Sequence, residues 1–194
     1  MLELILDVET KQIFDDVGGY FPEKLGVSFV GVCARSNRFE KGEMLSFFEN
    51  DLEKLFPLLE RADVVVGFNI DGFDMPTLNP YYSGDISRIP TLDVMERIKK
   101  TCGHRIGLDA VAKETLGAGK SGDGLDAVKY YRSGNFEALE KYCLQDVVVT
   151  RDVYDFGLKN GLVKFRNKWN RLIETPVDFS FNSAKASGTQ MSLI

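Results

Sequence analysis

The sequence predicts an α/β protein built on one mixed sheet, and three observations predict it. The runs Leu4 to Leu6, Val27 to Ala34 and Asp63 to Phe68 are apolar, too short for helices, and suit strands covered on both faces. Leu52, Leu55, Phe56 and Leu59 recur at the helical period between a third strand and a fourth. Strands therefore precede and follow a helix, the order expected of layered α/β architecture. With 194 residues, 44% of them hydrophobic, the chain is most simply one domain without repeats or linkers.

Each element has a local cause. Leu4 to Leu6 is long enough for a central strand and ends at Asp7. Residues 11 to 25, with Gly18, Gly19 and Pro22, read as a loop. Glu43 to Phe48 offers a third strand after the turn Asn37 to Gly42. Asn50 is placed to cap the helix that follows, and Pro57 is expected to kink or shorten it. After the strand Asp63 to Phe68 comes a polar turn, Asn69 to Pro76, in which Asp74 reads as an N-cap with Pro76 at the helix start. Ile89 to Leu92 is a fifth strand ending at Asp93. Leu108 to Leu116 is an amphipathic helix stopped by Gly117, and Gly119 to Gly124 is a loop carrying Lys120, Ser121 and Asp123. A long helix begins at Asn135, with Phe136, Leu139, Cys143 and Val147 at its apolar period.

Two pairs of side chains carry chemistry. Asp7 and Glu9 are two apart on a strand, so both carboxylates leave one face together. Like charges so close call for a compensating cation, and hard oxygen ligands suit Mg²⁺ or Mn²⁺. An isolated Asp-x-Glu is more often two solvated acids at a strand end. The second pair is Tyr142 and Asp146, four apart and so stacked on one helix face. Alone, that dyad is more often a half-buried tyrosine beside a surface acid.

Composition bounds the rest. A net charge of −5, with 27% charged residues, argues against a broadly basic nucleic-acid coat but leaves room for a local site. Cys33, Cys102 and Cys143 are odd in number and far apart, which speaks against a disulfide framework or a zinc site and fits a reducing cytoplasm. No apolar run approaches the roughly 20 residues of a membrane span.

Taken together, Asp7-x-Glu9 after a first strand, Asn69-x-x-x-Phe73-Asp74 after a fourth and Tyr142-x-x-x-Asp146 in a late helix resemble the three motifs of the DEDD superfamily of 3′-to-5′ exonucleases. Tyrosine four residues before the last aspartate resembles the DEDDy branch; in the histidine branch position 141 would be His, and here it is Lys141. The segments from Lys120 to Ala127 and from Tyr142 to Val147 are further similar to predicted helicase-associated exonucleases. The resemblance covers roughly residues 2 to 160.

It implies a ribonuclease-H-like fold, a five-stranded mixed sheet of order 3-2-1-4-5, with two divalent metal ions, Mg²⁺ or Mn²⁺, at one end. It implies hydrolysis at the 3′ end of single-stranded nucleic acid by a two-metal mechanism. Asp7 would bridge both ions, Glu9 and Asp146 would hold the nucleophile-side ion, and Asp74 the second. Tyr142 would orient the attacking water, since a phenol of ordinary pKa near ~10 is a poor base at neutral pH. Thr10 and Asn69 would contact the terminal nucleotide. Asp93 is either near the site or a strand-end cap.

Residues 1 to 161 would form this domain, 162 to 181 a basic aromatic extension, and 182 to 194 a polar tail. Lys120 in its loop is a candidate phosphate contact, though a turn lysine is usually just solvated. Lys164, Arg166 and Trp169 lie in a stretch of alternating basic and aromatic residues that suits base stacking, and equally an edge strand protected by charge. The tail ends Gln190-Met191-Ser192-Leu193-Ile194, which looks like the short peptides that dock bacterial repair proteins on the sliding clamp. Gln190 would bond at the rim of the clamp pocket, with Leu193 and Ile194 inside it. That favours DNA over RNA. A helicase is a further candidate partner.

Two other classes compete. One is a nucleic-acid or clamp-binding module that keeps the fold without catalysis; the full set of carboxylates argues against it. The other is a phosphatase with Asp7 as nucleophile, which Glu9 disfavours because an aspartate is expected there.

Overall fold

The computed structural model describes residues 1–117 and 124–181. Lys120, Ser121, Asp123, Gln190, Leu193 and Ile194 lie outside them. The central strand β1, Glu3–Thr10, is flanked by β2, Val27–Arg35, and by β4, Val64–Gly67. The edges are β3, Glu43–Phe48, and β5, Thr91–Asp93, giving the order β3-β2-β1-β4-β5. β2 runs antiparallel to β1 and β3, while β4 and β5 run parallel to β1. This is the ribonuclease-H-like sheet expected.

β1 is longer than its apolar core suggested. It pairs with β2 from Glu3 to Thr10 but with β4 only from Glu3 to Ile5. Beyond Ile5 the strand overhangs, supported on one side alone. Between Glu9 and Thr10 the ladder slips: Glu9 faces Phe29 and Thr10 faces Val27, so Ser28 is an extra residue in a β-bulge.

Both faces of β1 are covered, as its near-continuous burial requires. Leu4, Leu6 and Val8 meet Leu55 and Leu59 of α1, Leu52–Arg61, together with Leu78 of α2, Asp74–Leu78. Ile5, on the other face, shares a core with Ile98 of α3, Val94–Cys102, with Val111 of α4, Leu108–Leu116, and with Val147 and Val153 of α6, Phe136–Asn160. A short helix α5, Gly124–Arg132, precedes α6, whose N-cap Asn135 accepts a hydrogen bond from the Ala138 N–H at 3.2 Å. Among the described residues no helix is long and apolar enough to cross a membrane.

Three local expectations need correction. A 3-10 turn, Glu49–Asp51, leads into α1, so Asn50 does not cap it. Pro57 neither ends nor shortens that helix. It stands on the exposed face, and the buried Leu55, Phe56 and Leu59 anchor the helix around it. Residues 94 to 102 form α3, an element beyond those expected: the Asp93 carboxylate caps it by accepting from the Glu96 N–H at 3.1 Å.

The end of the sheet opposite the overhang is closed by charge. Arg35, fully buried, donates from Nε to Glu3 at 2.6 Å and bidentately to Asp155 at 2.7 and 2.8 Å. Tyr154 Oη donates to the other Glu3 oxygen at 2.9 Å. These contacts fix the direction of α6: Tyr154 lies beside Glu3 at the start of β1, and Cys143 beside Asp7 toward its end.

The chain then forms a hairpin, β6, Leu162–Arg166, and β7, Leu172–Pro176. Its Val163 and Phe165, with Val177 and Phe179 beyond it, enter the same core as Val153 and Tyr154. The segment read as an extension thus packs with the body.

A candidate carboxylate-lined metal centre

The overhang of β1 places the acids. Ile5, Asp7 and Glu9 alternate with the α1-facing Leu6 and Val8, so both carboxylates face α6. Directly across from Asp7 on β2 stands Gly31. A Cβ at Gly31 would lie 3.0 Å from Val147 Cγ2, 3.1 Å from Cys143 Sγ and 3.2 Å from Leu144 Cδ2. The missing side chain is what lets α6 settle onto the strand here. Phe29, the partner of Glu9, packs with Leu139, Tyr142 and Cys143 and holds the same helix one turn earlier.

As a result, ligand atoms of Asp7, Glu9 and Cys143 lie within 4.8 Å of one another. The Cys143 thiol is 3.4 Å from both the carbonyl and Oδ2 of Asp7. Burial, reinforced by the charges of Asp7 and Glu9, pushes that thiol well above its ordinary pKa. It therefore stays protonated and acts as a donor toward Asp7, and the donor set is one of carboxylate oxygens, suited to Mg²⁺ or Mn²⁺. By its helical period Cys143 is a core residue, and its place opposite Asp7 follows only from the strand and helix registers together. Tyr142 and Asp146 follow on α6, 7% and 3% exposed, with the Tyr130 ring edge-on to Tyr142 at 6.3 Å.

Asp74 arrives from the other side. It is not the N-cap expected of it, because it is the first residue of α2 and its carboxylate is turned to the sheet. Asp74 Oδ1 accepts from the Val8 N–H at 2.8 Å, a donor that β4 would bond had it continued. The side chain is 3% exposed. Burial first, and the charge of Asp7 second, raise its pKa well above the usual carboxylate range. Such crowded acids fit a bound cation, which would remove both penalties.

The turn before α2 is held by Asp93. Its carboxylate accepts from the N–H groups of Asn69 at 3.0 Å and Asp71 at 3.2 Å besides capping α3, and its charge also bears on Asp74, so it is both a cap and a neighbour of the acids. Burial raises its pKa. Asn69 itself has φ of 68° and spends its backbone carbonyl on the Gly72 and Phe73 N–H groups. Thr10 closes β1 and donates to the Gln12 carbonyl at 2.8 Å. Beside it a cleft of about 390 Å³ is lined by Thr10, Phe14, Leu25, Phe73, Leu125 and Val128. Phe73 is edge-on to Phe14, which stacks on Tyr20.

Lys164, Arg166 and Trp169 stand on the β6–β7 hairpin and its turn. α6 runs from Cys143 beside Asp7 to Tyr154 beside Glu3, and the hairpin leaves from beyond that end, roughly 20 Å of helix past Asp146. Lys164 pairs with Glu174 at 2.8 Å and Arg166 with Glu114 at 2.9 Å. Trp169 is 69% exposed at the hairpin tip, with Lys168 Nζ 4.5 Å from its ring centroid.

Fold and site together define a ribonuclease-H-like domain with an acidic pocket where the central strand overhangs its parallel neighbour. Comparison with known families gives the same answer: the RNase_H_2 family model, described as RNase_H superfamily, matches residues 4–156, and the chain belongs to that superfamily. No curated protein matches it in sequence. Among solved structures, the family B DNA polymerase of Pyrobaculum calidifontis is similar with a TM-score of 0.60 and 18% identity, over 81% of this chain and 24% of that one. The zinc-bound complex of E. coli exonuclease I with single-stranded DNA is similar with a TM-score of 0.50 and 13% identity, over 82% of this chain and 41% of that one. The chain thus spans about a quarter of the polymerase and two fifths of the exonuclease, and these likenesses concern the fold.

Proposed function

We propose that the protein is a metal-dependent 3′-to-5′ exonuclease of the DEDDy kind, acting on single-stranded nucleic acid, with DNA favoured over RNA. What supports this reading best is the pairing of Asp7 and Glu9 at one strand end with Asp74, bonded to Val8 between them, and with α6 seated there through Cys143, three residues before Asp146. The ligand of the exonuclease I complex points the same way on substrate.

Asp7, Glu9, Asp74 and Asp146 would hold two divalent ions, Mg²⁺ or Mn²⁺. Such ions supply a hydroxide at neutral pH and neutralise charge building on the leaving oxygen. The chain's own groups do the rest. Val8 N–H and the Cys143 thiol fix the carboxylates of Asp74 and Asp7 before substrate arrives, which is preorganisation of the kind that spares reorganisation during reaction. Tyr142 orients the attacking water by a hydrogen bond from its phenol. Thr10, Asn69 and Phe73 bound the end of the strand, and the cleft beside Thr10 receives the terminal sugar and base.

The test is digestion of 5′-labelled single-stranded DNA and RNA, with 3′-blocked controls, in Mg²⁺ or Mn²⁺, comparing wild type with Asp7→Ala. A ladder shortening from a free 3′ end, absent in EDTA and in the variant, is the expected result. Intact substrate after exposure to folded, metal-supplied protein would overturn the assignment and leave a binding module.

A further inference from the structure

On the β3 side of the carboxylates the sheet opens into a second cleft, of about 430 Å³, a volume usual for a small-ligand site. Its walls are aromatic: Phe48 at the end of β3, Tyr131 at the end of α5 and Phe136 at the start of α6. Phe136 lies edge-on to both others, with centroids at 5.8 and 6.2 Å, and is 47% exposed, a large apolar ring left open beside a cavity. Tyr131 also faces the Lys11 ammonium, 5.8 Å from its ring centroid.

Polar groups line the floor and rim. Ser28, the extra residue of the β-bulge, is turned toward the same face as Phe29 and lines the cleft. It is 2% exposed, and among the described residues its hydroxyl has no hydrogen-bond partner. A buried hydroxyl left so is costly unless a ligand or water completes it. At the rim Lys11 donates to Glu49, whose other oxygen accepts from Tyr81 Oη at 2.8 Å. That pair is close to neutral, so it does not select a phosphate. It offers both a donor and an acceptor beside flat aromatic walls, which matches the edge of a nucleobase.

Position says which ligand. Lys11 is two residues past Glu9, on the face of β1 that carries the acids, and its N–H still bonds Gly26 O at 2.9 Å, extending the ladder. Ser28 neighbours Phe29, the partner of Glu9. The cleft therefore lies beside the carboxylates, its Lys11 and Ser28 each within two residues of the Glu9–Phe29 pair.

We propose that this cleft is a second nucleotide subsite, in which an upstream base of the single strand whose 3′ end lies at the acids stacks against Tyr131 and Phe136 and bonds at its edge to Ser28. The proposal rests on the exonuclease assignment for the identity of its ligand. Because a hydroxyl can both donate and accept and every base has a π face, the subsite tolerates any sequence.

The test uses single-stranded DNA oligonucleotides carrying 2-aminopurine at each of the first five positions from the 3′ end, bound to the full chain with Ca²⁺ in place of Mg²⁺. Wild type is compared with Phe136→Ala, Tyr131→Ala and Ser28→Ala, each checked for folding by thermal melting. One internal position is expected to show stacking-type quenching that disappears in Phe136→Ala and Tyr131→Ala, with binding about tenfold weaker. Ser28→Ala keeps the quenching and weakens binding less. Identical profiles and affinities in folded Phe136→Ala, Tyr131→Ala and wild type would overturn the subsite. Digestion in Mg²⁺, run alongside, separates the two claims: a wild type that binds with the predicted profile yet never cuts sinks the enzyme and keeps the subsite, while one that cuts with variants indistinguishable from it sinks the subsite alone. No binding by wild type removes both.

Discussion

Gly31→Ala is the most informative single substitution, because one methyl group would push on the site without touching any acid. The new Cβ meets Val147, Cys143 and Leu144 at 3.0 to 3.2 Å, so α6 must retreat by a few tenths of an ångström. Overpacking of this kind costs about 1 to 3 kcal/mol. For a chain of this size that is a fall in Tm of roughly 2 to 12 °C. The three residues pressed upon flank Asp146 on both sides, so the retreat carries Asp146 and Tyr142 away from Asp7. Since a misplacement of ~1 Å can cost about a hundredfold in rate, a fraction of that predicts a loss of roughly five- to tenfold. The assay is single-turnover digestion of a labelled oligonucleotide, with melting followed by circular dichroism on the same samples. Adding Cys143→Ala removes one of the three clashes and is expected to restore part of the Tm, with a coupling of at least about 0.5 kcal/mol. If Gly31→Ala melts and cuts like wild type, the close seating of α6 is not what assembles the site.

Two further variants probe the buried charges. The folded-state pKa of Asp74 is raised, so its contribution to stability is fully present below the unfolded value near ~3.8 and is lost as pH climbs through the raised value. In EDTA, Asp74→Asn should therefore gain on wild type as pH rises from about 4, by up to ~1.4 kcal/mol per pH unit, and Mn²⁺ should reverse the order at neutral pH; a constant difference across pH contradicts this. At the other end of the sheet, Arg35→Met strands the buried Glu3 carboxylate and removes both bonds to Asp155, predicting a loss of about 3 to 5 kcal/mol by urea melting. The double variant with Glu3→Gln should recover part of that loss, and an unchanged double variant would mean that uncompensated charge is not the cause.

How much of this was legible depended on how local the cause was. The Leu52 to Leu59 stripe and the strand Val27 to Ala34 could be read because their burial follows a simple period. So could the alternation that makes β6. The hydrogen bond of Asp74 could not: the resemblance puts it among the metal ligands, but by its neighbours it looks like a cap, and only a partner 66 residues away, the Val8 N–H beyond the end of β4, decides otherwise. Pro57 misled for a related reason, since the sequence shows the broken hydrogen bond but not that water covers that face. Lys164 and Arg166 carry the right charge for phosphate, and their pairing with Glu174 and Glu114 depends on partners the local sequence does not show. Gly31 and Cys143 passed as packing residues because their importance exists only where two elements cross.

The overhang of β1 also limits how this chain can change over time. Beyond Ile5 the strand answers to β2 alone, and residues of odd and even number lie on opposite faces of the sheet. A single codon inserted between Leu4 and Asp7, absorbed by sliding in register, would turn both acids into the α1 core and bring Val8 up in their place. Every residue of the active constellation would survive in the gene, and none of its first pair would be at work. Descendants of this protein should therefore keep the spacing from Leu4 to Glu9 fixed to the residue.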